Sequence, residues 1–265
     1  MSAKHVVSFL LGASLSAAIA TVLWWRSDVS PARLRATLLE QPQFLADHPE
    51  LLEAARAVLQ TRMLATQGSE RAALIQGKWQ ALTHVAFTPT IGSPDAPLVL
   101  LEFTDYTCAP CRKSAPAVSE ALNGSADVRV AVLLLPIGGA LAEYAARVAW
   151  AAYKQNPERF AGLHERLMHL QSQLTQESIL AAVSELGFDM DQIEREAAST
   201  ESRRYFDQVR MFAEDLRISG VPAFALNEQL VLGGITVAQI ETLIQAARAT
   251  RATGQAQLTS SEEMR

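Results

Sequence analysis

The chain has 265 residues, 49% hydrophobic and 19% charged, with a formal net charge of −5. This composition provides enough apolar residues for one sizeable domain plus extras and excludes a disordered chain. Two cysteines are too few for a disulfide scaffold, and the lack of a basic stripe interleaved with aromatics argues against nucleic acid as a partner.

Lys4-His5 precede an uncharged stretch from Val6 to Trp25, which is long enough to cross a bilayer as a helix. Trp24 and Trp25 sit where interfacial anchors belong. Residues 1–28 are read as a membrane anchor. The alternative is a cleaved signal, because Ala18-Ile19-Ala20 resembles a signal-peptidase site. Either way the rest of the chain is expected in an oxidising, extracytoplasmic compartment, periplasmic in a bacterium and attached to the inner membrane if the anchor is kept.

Residues 29–87 read as a helical extension with starts at Ser30-Pro31 and Asp47-His48-Pro49. Leu45, Leu52 and Leu59 recur every seven residues, so this region is expected to be either an oligomerisation seam or an amphipathic helix packed on its own domain. Thr88 to Pro97, with its glycine and three prolines, reads as a connection.

Leu98 to Thr104 reads as a central strand, Ala109 to about Leu122 as a helix and Val128 to Leu135 as a second strand. This β-α-β order implies a parallel pair covered on both faces. Cys108-Ala109-Pro110-Cys111, which holds both cysteines, falls at the strand-to-helix turn. There Cys108 would meet free N–H groups and the positive end of the helix dipole, which stabilise a thiolate, while Cys111 one turn on could resolve a mixed disulfide. A structural bridge would close too short a loop to contribute much, and a metal site lacks a second cysteine pair. Arg112 and Lys113 are candidates for added positive potential.

Beyond Pro136-Ile137-Gly138-Gly139 a helical stretch is expected over about 139–217, with helix starts at Asn156-Pro157 and Thr175 and a stop at Gly187. Ala223–Leu226 and Leu230–Leu232 read as a hairpin, and Thr236 as the cap of a last helix reaching about Ala247. Residues 251–265 are expected to form a disordered tail.

The segment from Glu102 through Cys108-x-x-Cys111-Arg112-Lys113, with the later Gly220-Val221-Pro222-Ala223-Phe224, resembles the DsbA-like branch of the thioredoxin superfamily. The resemblance implies an α/β thioredoxin fold over about 88–250 with a helical insertion. It implies a thiol-disulfide oxidoreductase that needs no cofactor or metal. It also implies a cis Val221–Pro222 peptide facing the cysteines, with Val221, Ala109 and Pro110 contacting substrate and Glu102 as a buried acid that relays protons for Cys111. The helical extension is similar to the copper-sensitivity-suppressor (Scs) type, in which it mediates oligomerisation. Expected partners are unfolded or disulfide-bonded proteins, a membrane redox partner and further copies of the chain. Direction, whether oxidase, isomerase or reductase, stays open. Having Pro110 in the second intervening position, with no histidine between the cysteines, departs from the DsbA-like pattern and removes one source of the thiolate stabilisation that a strongly oxidising potential draws on. The competing reading is a non-catalytic copper-binding or chaperone-like module, since soft thiolates also suit Cu(I).

Overall fold

The computed structural model describes residues 30–83, 87–170, 174–227 and 229–263. The stretch expected to be an anchor or signal lies outside them, and no described helix is long and apolar enough to cross a membrane. The chain divides into two compact units, Met1–Thr66 and Gln67–Arg265.

In the first unit α1 (Pro31–Glu40) and α2 (Gln43–Asp47) lead into α3 (Pro49–Thr83), whose N-terminal part belongs to this unit. The prolines at 31 and 49 begin their helices, where a missing N–H costs nothing. Phe44, Leu51, Leu52, Val58, Leu59 and Met63 are exposed.

The second unit begins inside α3 rather than near residue 88. Ile75 and Leu82 of that helix are fully buried, and Lys78 pairs with Asp215. Its centre is a five-stranded sheet in the order β1-β3-β2-β4-β5. Strand β2 (Leu98–Thr104) runs parallel to β3 (Val128–Leu134), antiparallel to β4 (Ala223–Leu226), and β4 pairs antiparallel with β5 (Gln229–Leu232). All seven residues of β2 are buried, as a strand covered on both faces requires. The expected connection before β2 contains a short strand, β1 (Thr90–Ile91), which pairs with Ala131 and Val130. Two residues are too few for an alternating pattern to reveal.

Helix α4 (Ala109–Asn123) joins β2 to β3. Five helices then intervene: α5 (Ala140–Gln155), α6 (Pro157–His169), α7 (Gln176–Glu185), α8 (Met190–Ala197) and α9 (Thr200–Asp215). Asn156 and Thr175 cap α6 and α7 as their spacing suggests. Past the end of β1, the outer edge of β3 is closed by a side chain: the Tyr205 hydroxyl donates to the Val132 carbonyl (3.1 Å) and accepts the Leu134 N–H (3.3 Å).

The last helix, α10 (Val237–Glu263), corrects the sequence reading. Neither the end near Ala247 nor the disordered tail from Arg251 is found, and the helix continues to Glu263. Arg248, next to buried Ala247, still pairs with Asp127, and no proline interrupts residues 248–263, so nothing stops the helix at the expected end.

Candidate active site

Because β2 and β3 are parallel and β4 is antiparallel to β2, the loops following β2 and β3 and the loop preceding β4 meet at one edge of the sheet. The first loop carries the cysteines. Cys108 is the N-cap of α4 in an extended conformation (φ −77°, ψ 114°), and its sulfur accepts the Cys111 N–H at 3.1 Å. Pro110 fits the first turn, where no N–H is missed. Cys108 and Cys111 form a disulfide with their Cα atoms 5.2 Å apart. Cys111 is fully buried, Cys108 is half-buried, and Ala109 and Pro110 are exposed beside it.

The loop before β4 supplies the opposite wall. The Val221–Pro222 peptide is cis, and the Val221 carbonyl oxygen lies 3.4 Å from Cys108 Sγ. The Pro222 carbonyl accepts the Gly233 N–H at 2.8 Å. Ser114, buried on α4, donates to the Pro110 carbonyl (3.1 Å) and accepts the Ile235 N–H (3.1 Å), tying the first turn of the helix to the strand hairpin.

Glu102 sits in the middle of β2, between β3 and β4, with 1% of its surface exposed. Its Oε1 has no hydrogen-bond partner among the described residues. Burial pushes its carboxyl up to about 7, with the Thr104 hydroxyl pulling the other way. Glu102 lines a cavity of about 520 Å³ together with Ala115, Val118, Leu122 and His164. Cys111 precedes Ala115, Val118 and Leu122 by four, seven and eleven residues, so one face of α4 leads from the buried cysteine into that cavity.

Several contributors were not singled out from sequence. His164 on α6 is buried, its Nδ1 is 3.1 Å from the Tyr106 hydroxyl, and burial lowers its imidazole to about 4. Asp105 is buried and accepts from the Thr107 N–H and hydroxyl and from the Ile137 and Gly138 N–H groups. Only the position of Asp105, two residues beyond the Glu102-Phe103 pair and three before Cys108, offered a signal. Arg112 donates to the Tyr106 carbonyl at 2.9 Å, whereas Lys113 is exposed.

The thioredoxin family profile matches residues 85–246, more than half of the chain. The chain belongs to the thioredoxin family. It is 28% identical over 93 residues to disulfide bond formation protein D of Bacillus subtilis, which covers 34% of this chain and 42% of that protein. It is 27% identical over 158 residues to the Na(+)/H(+) antiporter NhaA 3 of Salinispora tropica, covering 59% of this chain and 24% of that one. The chain thus spans about a quarter of the length of that antiporter. Among solved structures, ScsC of Proteus mirabilis in a transitional conformation is 26% identical with a TM-score of 0.62, and the match covers 84% of this chain and 99% of ScsC. The thioredoxin fold with a helical insertion is therefore established by both sequence family and architecture.

Proposed function

We propose that the chain is an exported thiol-disulfide oxidoreductase that exchanges disulfides with protein clients through Cys108 and Cys111. The observation that carries this reading is the half-buried Cys108 sulfur, which caps a helix N-terminus 3.4 Å from the carbonyl before a cis-proline. The printed name of the Bacillus subtilis relative, a disulfide bond formation protein, agrees with it.

In the oxidising direction a client thiolate attacks Cys108 Sγ. The Sγ–Sγ bond breaks, a client–Cys108 disulfide forms, and Cys111 leaves as a thiolate. Glu102, its carboxyl raised by burial to about 7, is the proton source for that thiolate. A second client thiolate then attacks the client sulfur, which leaves the client oxidised and Cys108–Cys111 reduced. In the reverse direction the Cys108 thiolate attacks a client disulfide and Cys111 resolves it. Each cycle calls for a redox partner that restores the pair, and the Val221 backbone with Ala109 and Pro110 forms the surface against which a client lies.

The first 28 residues fit a membrane anchor or export signal on composition. The exposed apolar side chains Leu52, Val58, Leu59 and Met63 support self-association through the N-terminal helices. Light scattering on a Leu52→Glu, Leu59→Glu variant tests that part, and an unchanged mass overturns it.

Cys111→Ser is the primary test. It should accumulate a covalent client–Cys108 complex that non-reducing electrophoresis reveals and that is lost on adding Cys108→Ser. Equilibration with glutathione then assigns direction, with a potential near about −120 mV indicating an oxidase and one near about −270 mV a reductase.

A further inference from the structure

The walls of the cavity that Glu102 lines come from α4, α6 and the end of β1. Small residues face it: Ala115 and Ser119 on α4, Ala161 on α6 and Gly92 after β1. Larger apolar side chains at those positions would close the gap, as close-packed interiors normally do, so the void of about 520 Å³ is written into the sequence. It falls within the size range of small-molecule sites, roughly 300–1,000 Å³.

Its polar groups are left with capacity to spare. Glu102, 1% exposed, has an Oε1 without a hydrogen-bond partner among the described residues. A buried carboxyl in that state costs free energy until something supplies a donor. His164 uses Nδ1 on the Tyr106 hydroxyl, 3.1 Å away, which leaves Nε2 over. Among the described residues no lysine or arginine lines the cavity, whereas Glu165 adds a second carboxyl at its exposed rim. The lining offers acceptors between apolar walls and no cationic side chain to hold an anion.

We propose that this cavity binds a small organic cation, an amidinium-type group on a flat apolar body, whose N–H groups donate to Glu102 while its body packs on Ala115, Val118 and Leu122. Occupation requires no disulfide exchange, so this inference goes beyond the reading above and fails separately from it. Binding is tied to pH. The cation pairs with the carboxylate, and burial holds the Glu102 carboxyl at about 7, so affinity should rise about tenfold from pH 6 to pH 8. The strand partners of Glu102 are Val132 and Phe224, and α4 and β1 bring no titratable side chain to the cavity. His164 and Tyr106 stay neutral over that range, because burial lowers the imidazole to about 4 and raises the phenol well above its usual range. Glu165 and His169 stand exposed at the rim.

The test titrates the full chain with benzamidine, benzamide and benzoate, probes of one shape that differ in charge, by calorimetry and backbone amide shifts. At pH 8 benzamidine should bind about tenfold more tightly than benzamide, the size of a charge-assisted hydrogen bond, and benzoate more weakly than either. The shifts should centre on Ala115, Ser119 and Ala161. Glu102→Gln should remove both the preference and the rise with pH, while His169→Gln should keep both. Ala161→Leu should fill the cavity and abolish binding, and urea unfolding verifies that each variant folds. The amide shifts and Ala161→Leu decide the matter independently of Glu102→Gln. Equal affinities for benzamidine and benzamide, a preference that survives Glu102→Gln, or shifts centred elsewhere overturn the proposal. So does the absence of binding by any probe, which would make this a cavity for water only.

Discussion

The Cys111 amide points at Cys108 Sγ from 3.1 Å, so a donor in the first turn of α4 is aimed at the sulfur that would carry charge after reduction. A thiolate there gains a hydrogen bond and the helix dipole. Reduced Cys108 should therefore ionise below the roughly 8.5 of free cysteine, and absorbance at 240 nm against pH will measure it. Buried Cys111 should ionise above Cys108. An ordinary value for Cys108 would remove the basis for its role as attacking sulfur.

Glu102 and His164 line one cavity and shift in opposite directions, so their effects on stability oppose each other. Glu102 rises from 4.5 to about 7 in the folded chain, so its contribution is present below pH 4.5 and is lost as pH climbs through 7. His164 falls from 6.5 to about 4, so its contribution is present above pH 6.5 and is lost as pH drops through 4. Between these limits the two slopes, each about 1.4 kcal/mol per pH unit at most, nearly cancel. Urea unfolding of Glu102→Gln should gain stability from pH 4 to 6.5, whereas His164→Gln should lose it from pH 4.5 to 7. Profiles parallel to wild type in both variants would show that neither group titrates differently on folding.

Gly138→Ala should push the Thr107 hydroxyl away from Asp105, because the added β-carbon meets Thr107 Oγ1 and Cβ. The expected cost is about 1 to 2 kcal/mol in denaturant unfolding. In a Thr107→Ala background the cost should shrink, since the hydroxyl is gone. Strict additivity of the two changes would place the strain elsewhere.

Tyr205→Phe should destabilise the chain by about 1 to 3 kcal/mol, because it leaves the Val132 carbonyl and the Leu134 N–H unpaired at a buried edge. A melting temperature matching that of wild type would mean another group pairs them.

The parts of this fold that were legible in sequence are those in which local chemistry and tertiary role agree. Leu98–Thr104 reads as a buried strand because it is apolar on both faces, and Asn156 and Thr175 read as caps because their side chains bond within three residues. The cysteine pair and the cis-proline loop were legible because each is a compact motif. Asp105, Tyr106, Ile137 and His164 were not, since their importance arises from partners 32 to 58 residues away that no periodicity announces. Helix α10 outran its expected end because no proline stops it and Arg248, one residue past that end, ties it to Asp127.

The five-helix insertion, Ala140 to Asp215, leaves from the loop after β3 and returns to the loop before β4, at the same end of the sheet where the cysteines stand, so residues 136–139 and Val221–Pro222 stay with the sheet. It is therefore a cassette with two seams, and a chimera that exchanges it need not disturb the pairing of β2 with β3 and β4. Two obligations travel with any replacement. It must bring a hydroxyl to span Val132 and Leu134 as Tyr205 does, and a hydrogen-bonding partner for the buried phenol of Tyr106 as His164 does. A graft designed around those two atoms should keep the sheet and the cysteine turn folded as they are.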